Sequence, residues 1–219
     1  MAITDIPTND MINLMPASPD AAAFVLAGGK SSRMGTDKAF LEFNGRGLLT
    51  RALDLARSIT PNVSIVGAPA KFAAFAPAID DIFPGCGPLG GIHAALRSST
   101  RELNLILAVD LPFLSTEFLR YLTSRAQSSK AVATVPKSAN HWQPLCAVYR
   151  AEFAEAAEQT LRSGKYKIDP LFRNLDVQTL DEAELISAGF SPDLFRNLNT
   201  PEDVRSAQRG PGSRPNPRS

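Results

Sequence analysis

The sequence is poor in the residues that build metal centres and disulfide frameworks. Only two cysteines, Cys86 and Cys146, and two histidines occur in 219 residues, and they show no metal-ligand spacing. Reduced thiols in a cytoplasmic chain are the plain expectation, with a single disulfide as the weaker alternative. An excess of charge is also missing. Twenty-three Lys and Arg face 22 Asp and Glu, a formal net charge of +1, so no global basic field draws in nucleic acid and any anion site has to be local. No apolar run approaches the length of a membrane span, and the N-terminus lacks the basic-then-apolar pattern of a signal peptide. What remains is ordinary for a soluble globular protein: 44% hydrophobic and 21% charged residues, enough chain for one sizeable core and nothing that demands two.

Against these absences one stretch stands out. The apolar run Ala21 to Leu26 reads as a buried first strand of a parallel sheet. It opens into Ala27-Gly28-Gly29-Lys30-Ser31-Ser32-Arg33-Met34-Gly35-Thr36-Asp37-Lys38. Gly28, Gly29 and Gly35 let the backbone approach a ligand closely and turn with positive φ. Main-chain N–H groups freed by such turns form an anion-binding concavity, and Lys30, Arg33 and Lys38 add full charges. The expected ligand is a polyphosphate. A P-loop would need its first glycine at Phe24, inside the strand, so that pattern fails; Gly-x-Gly-x-x-Gly does not fit the three glycines either.

The run Leu-Ala-Gly-Gly-x-Ser-x-Arg-Met-Gly-x-Asp-Lys resembles instead the signature loop of nucleotidyltransferases that activate small molecules with a nucleoside triphosphate. At these residues the chain resembles the molybdenum cofactor guanylyltransferases, over about residues 21–208. The resemblance implies a three-layer α/β/α fold with a mostly parallel, Rossmann-like sheet. It implies transfer of GMP from GTP to molybdenum-molybdopterin, release of pyrophosphate, Mg²⁺ as cofactor, and transient contact with cofactor-insertion or molybdoenzyme proteins. The doubled glycine and the Asp-Lys ending favour the guanylyl branch over relatives that carry Leu-Ala-Ala-Gly. The alternatives are a cytidylyl- or other nucleotidyltransferase on a different phosphorylated acceptor, or a nucleotide-binding regulator without turnover.

Taken in order, residues 1–20 read as a loose leader, 21–208 as one domain and 209–219 as a disordered tail. Asn44-Gly45 marks a turn in a hairpin-like segment. A helical stripe over Leu48 to Ile59 stops before Pro61, and Val63 to Gly67 is a short strand, so strand, loop, helix and strand begin a βαβ unit. Ala78 to Ile82 reads as a third strand ending in acids. The dense Pro and Gly of Pro84 to Gly91 lead into a helix near Pro88, which is either an anion-ready corner or a packing one. Leu103 to Val109 is the clearest buried strand, followed by Asp110. Ser115 to Ala126 is a capped helix, Ala131 to Val135 and Leu145 to Tyr149 are strands, and Lys137 to Pro144 is their connection. Ala151 to Arg162 is a helix closed by Gly164, and Val177 to Leu180 a late strand. Thr200 and Pro201 specify a last helix start.

In open parallel sheets ligands sit beyond the carboxyl ends of the strands. An acid placed there suits a divalent ion, because magnesium takes one or two carboxylates plus phosphates and water. Asp110 also has a plainer alternative as a turn or helix cap. The resemblance implies that Asp110 is the metal residue, that Arg33 and Lys38 steady the triphosphate, and that Leu26, Ala27, Gly28 and Asp81 contact the nucleotide. It implies an acceptor side formed by Gly90, Gln143, Lys165, Lys167, Asn197 and Asn199. A solvated basic face explains Lys165 and Lys167 equally well. Gly67, where some members of that family offer an asparagine, has no side chain to donate.

Overall fold

A computed structural model describes residues 20–28 and 38–208. The expected leader up to residue 19, the loop from 29 to 37 with Arg33, and the tail from 209 lie outside the described residues.

Strand β1 (Ala21–Leu26) is buried at every position. Its side chains alternate between two cores, as the period of a strand requires. Ala21, Ala23 and Val25 enter one cluster, and Ala22, Phe24 and Leu26 the other. A strand covered on both faces cannot show polar alternation, which is why it reads as a continuous apolar run. Parallel partners flank it, β6 (Leu103–Ala108) on one side and β4 (Val63–Val66) on the other, with β5 (Ala78–Ile79) beyond β4. The sheet order is β10-β7-β9-β6-β1-β4-β5. Here β7 is Ala133–Ser138, β9 is Cys146–Tyr149 and β10 is Val177–Leu180. Only β9 runs against its neighbours in this row, so the sheet is mostly parallel, as expected.

Helices cover both faces. Helix α1 (Leu48–Arg57) turns Leu48, Leu49, Ala52, Leu53 and Ala56 inward. It shares the first face with the later helix Thr116–Gln127, whose Phe118 is fully buried among Phe190 and Phe195. Ser115 caps that helix, its hydroxyl accepting from the Phe118 N–H at 3.2 Å. On the opposite face lie Pro88–Ser98, Phe153–Arg162 and Asp169–Asn174, packed through Leu89, Ile92, Phe153, Leu161 and Phe172. The result is the three-layer α/β/α arrangement.

Three sequence-based boundaries are corrected. The third strand ends at Ile79 rather than Ile82, so Asp80 and Asp81 belong to the following loop. The connection from Lys137 to Pro144 is a hairpin: β7 runs on to Ser138, and β8 (His141–Trp142) folds back on Lys137 and Ser138. Ala139 and Asn140, both with positive φ, make its turn. The segment after Gly164 carries Lys165 and Lys167 exposed and then enters the helix Asp169–Asn174, which buries Leu171 and Phe172 and which the sequence reading did not place. The helices Asp169–Asn174 and Glu182–Ser187 and the 3₁₀ turns Lys38–Phe40 and Pro192–Phe195 found no place in the sequence reading.

Candidate active site

The carboxyl ends of β1, β4, β5, β6, β7 and β10 all reach one rim of the sheet, because these strands share a direction. The Gly-rich loop leaves β1 at this rim, Asp110 leaves β6 beside it, and Asp81 follows β5. At the exit of β1 the backbone is tightly used. The N–H groups of Ala27 and Gly28 both donate to the Val66 carbonyl at 3.1 Å, and the Leu26 carbonyl accepts from Val109. Backbone contacts from Ala27 or Gly28 to a ligand therefore fall to their carbonyl oxygens. Gly67 sits opposite Gly28. A Cβ on Gly67 would come within 2.7 Å of the Phe72 ring, which fills the space where a side chain would stand.

Lys38 opens the 3₁₀ turn Lys38–Phe40, where the chain re-enters the described region. Its ammonium lies 3.7 Å from Asp110 Oδ2, beyond hydrogen-bond length but within ion-pair range. Burial raises the Asp110 carboxyl above its ordinary value, and the neighbouring Lys38 charge only partly offsets this. A cation beside Asp110 would relieve that cost. One such carboxylate meets the usual magnesium requirement of one or two, the other ligands being phosphate and water. Among the described residues no group of three or more His, Cys, Asp or Glu could hold a metal on its own. The donor set thus fits an ion that arrives with a phosphorylated ligand.

Asp81 is held by its own loop: its Oδ1 accepts from the Phe83 N–H at 2.9 Å. The carboxylate and the Phe83 carbonyl press against Gly90 in the first turn of Pro88–Ser98. An added Cβ on Gly90 would lie 2.9 Å from each. Gly90 thus has a packing reason to lack a side chain. Burial again raises the Asp81 carboxyl, while the Phe83 N–H and His93 pull it down.

His93 escaped the sequence reading. It is 2% exposed, stands edge-on to the Phe83 ring at 5.1 Å, and reaches Glu158 at 3.3 Å. Glu158 also binds Arg97 and Arg162, which hold its carboxyl down to about 2. The Asp81 loop is thereby tied through Phe83 to two helices. The only sequence signal was a histidine beside Ile92 on an apolar helix face.

The remaining expected residues come from later parts of the chain. Gln143 sits at the end of β8, where its side-chain amide donates to the His141 carbonyl at 3.2 Å. Lys165 and Lys167 are exposed before Asp169–Asn174, and Asn197 is exposed near the C-terminus. Asn199 lies apart from these, against Lys38: its Oδ1 accepts from the Lys38 ammonium at 2.5 Å.

A mostly parallel α/β sheet whose rim brings Lys38 beside the partly buried Asp110, next to the exit of β1, is of the nucleotidyltransferase type. Comparison with known proteins narrows this class. The chain belongs to the MobA-like NTP transferase domain family, whose model matches residues 23–179. It is 33% identical over 190 residues to a probable molybdenum cofactor guanylyltransferase of Pelotomaculum thermopropionicum, covering 86% of this chain and 92% of that one. It is 34% identical to the molybdenum cofactor guanylyltransferase of Desulfosudis oleivorans, covering 84% and 92%. Among solved structures it resembles molybdopterin-guanine dinucleotide biosynthesis protein A of Archaeoglobus fulgidus, with a TM-score of 0.74, 28% identity and coverage of 86% and 97%. The protein is an enzyme of the nucleotidyltransferase kind. No helix among the described residues is long and apolar enough to cross a membrane.

Proposed function

We propose that the protein transfers GMP from GTP to molybdenum-molybdopterin, using a domain that spans residues 21–208. The observation that carries this reading is the Lys38–Asp110 pair, 3.7 Å apart at the rim beside the exit of β1. The names borne by the relatives supply the substrates.

The reaction forms a bond between a phosphate oxygen of the acceptor and the α-phosphorus of GTP. The bond from that phosphorus to the β-phosphate bridge breaks, and its electron pair leaves with pyrophosphate. The nucleophile is already ionised at neutral pH, so no general base is required, consistent with a rim that needs no histidine. The enzyme's task is charge neutralisation and in-line positioning. Lys38 meets the triphosphate, and Arg33 is assigned the same task. Asp110 is the residue that would hold Mg²⁺, which when bound neutralises phosphate charge. Leu26, Ala27 and Gly28 line the nucleoside side through the backbone, and Asp81 contacts the nucleotide from the next loop. Gly90, Gln143, Lys165, Lys167 and Asn197 face the acceptor side. The reaction belongs in the cytoplasm, with product handed to cofactor-insertion or molybdoenzyme proteins.

Pyrophosphate release tests the reading. With molybdenum-loaded pterin as acceptor and Mg²⁺ present, GTP is expected to support turnover and CTP and ATP to fail. Equal or better turnover with CTP would move the protein to the cytidylyl branch. Nucleotide binding without any product would make it a regulator.

A further inference from the structure

The C-terminal segment grips both members of the Lys38–Asp110 pair. Asn199 Oδ1 accepts from the Lys38 ammonium at 2.5 Å. The buried neighbour Leu198 donates its N–H to the Asp110 backbone carbonyl at 3.0 Å. The segment is itself fixed from the far side. Asp203 Oδ2 accepts from the N–H groups of both Asn199 and Thr200 at 2.9 Å, and the Asp203 N–H donates to Thr200 Oγ1 at 3.0 Å. This reciprocal cap begins the helix Pro201–Gln208, with Val204 and Leu198 buried beneath it.

We propose that Asn199 is a positioning residue for Lys38, aiming its ammonium at the phosphates. The proposal rests on the reading of Lys38 as a phosphate contact. A lysine has four rotatable side-chain bonds and three donors, and left to itself would swing onto the nearest carboxylate. The nearest is Asp110, which in this reading is needed for a cation. An amide oxygen holds one donor without cancelling the charge. It keeps the ammonium 3.7 Å from Asp110, short of a direct hydrogen bond, with two donors left for phosphate. A carboxylate at position 199 would hold Lys38 as firmly but would compete with the ligand for its charge. This places Asn199 on the nucleotide side, whereas the family resemblance placed it with the acceptor.

The two placements differ in which substrate feels the loss. GTP with Mg²⁺ is titrated calorimetrically into the full-length wild type and into Asn199→Ala, Asn199→Asp, Lys38→Met and the Lys38→Met/Asn199→Ala double variant. The KM of each substrate is measured alongside. Asn199→Ala is expected to weaken GTP binding up to about tenfold, the cost of ordering one long side chain on binding, with acceptor KM unchanged. Asn199→Asp is expected to weaken it further. The double variant should bind GTP no worse than Lys38→Met alone, since Asn199 acts through Lys38. Asn199 is exposed, so its two single variants should melt near wild type, and folding of every variant is checked first by melting. GTP affinity within twofold of wild type in Asn199→Ala, or additive losses in the double variant, would overturn the proposal. A wild type that binds no GTP would overturn the nucleotide reading itself, and the positioning role with it.

Discussion

Gly90 and Gly91 are consecutive in one helix, yet a methyl group added to each meets different surroundings. At Gly90 the added carbon falls 2.9 Å from both Asp81 Oδ1 and the Phe83 carbonyl. At Gly91 it falls 3.1 Å from Leu26 Cδ2, the end of a side chain that can rotate away. Both substitutions gain about 0.5–1 kcal/mol from helix preference. Gly90→Ala sets against this an overpacking cost of about 1–3 kcal/mol, because the obstacles are a backbone oxygen and a carboxylate pinned by the Phe83 N–H. Net destabilisation of about 0–2.5 kcal/mol is expected from these two ranges. The strain is relieved by pushing the Asp81 loop off the helix start. If Asp81 contacts the nucleotide, a misplacement of the order of 1 Å costs up to about 10²-fold. Turnover measured with GTP, acceptor and Mg²⁺ should therefore fall about tenfold or more in Gly90→Ala. Gly91→Ala should stay within about twofold of wild type and melt at an equal or higher temperature. Equal turnover in the two variants would refute the link from Gly90 to Asp81. A Gly90→Ala variant that melts above wild type would refute the clash.

Asp110→Asn should lower turnover by about 10²–10³-fold, the scale of losing one preorganised electrostatic contact; near-normal turnover would sink the metal assignment. The same change should not cost stability at pH 7. Burial raises the folded-state value of this carboxyl above its ordinary value, so the folded form binds more protons between the two values and stability falls as pH rises through that window. The penalty persists at neutral pH, and Asn removes it; a lower melting temperature for Asp110→Asn at pH 7 would contradict this. Phe118→Ala, stripping a fully buried ring from Phe190 and Phe195, should cost about 3–5 kcal/mol in chemical denaturation, and a loss well below that range would mean the site collapses around the cavity. Ser115→Ala should cost about 1 kcal/mol and Ser115→Asp little, as either side chain can cap the helix; equal losses would rule out the cap.

Much of the fold is legible because its cues are local. An unbroken apolar run marks β1, Asn44-Gly45 marks the β2–β3 turn (Glu42–Phe43 and Arg46–Gly47), and Ser115, Gly164 and Thr200 mark helix ends. Strand direction is not local. Nothing in the pattern of Cys146–Tyr149 says that it runs opposite to β6, because burial alternates the same way in either sense. Lys137 and Ser138 carry no apolar alternation, so the extension of β7 is visible only in its pairing with β8. Asp181 and Ser191 do cap their short elements, but neither helix is long enough to show a period. At the site, the placement of Asp110 follows from the end of β6, whereas Lys38 opens the 3₁₀ turn Lys38–Phe40. The Lys38–Asn199 contact joins residues 161 apart, and no local motif encodes it. His93 became visible only through the ring and carboxylate it touches.

The reversed strand has a consequence for how this rim can change. Parallel neighbours must be joined by a crossover, so most chain leaving the rim returns beneath a helix. Between Ser138 and Cys146 the return is a tight ribbon instead, stitched by Gln143 to the Pro136 carbonyl and by the Tyr149 hydroxyl to Pro144. Among the described connections at this rim it can be lengthened, shortened or exchanged without re-seating a helix. In the proposed reading, where Gln143 faces the acceptor, it is the grafting point for a different cargo that leaves the Lys38–Asp110 end untouched.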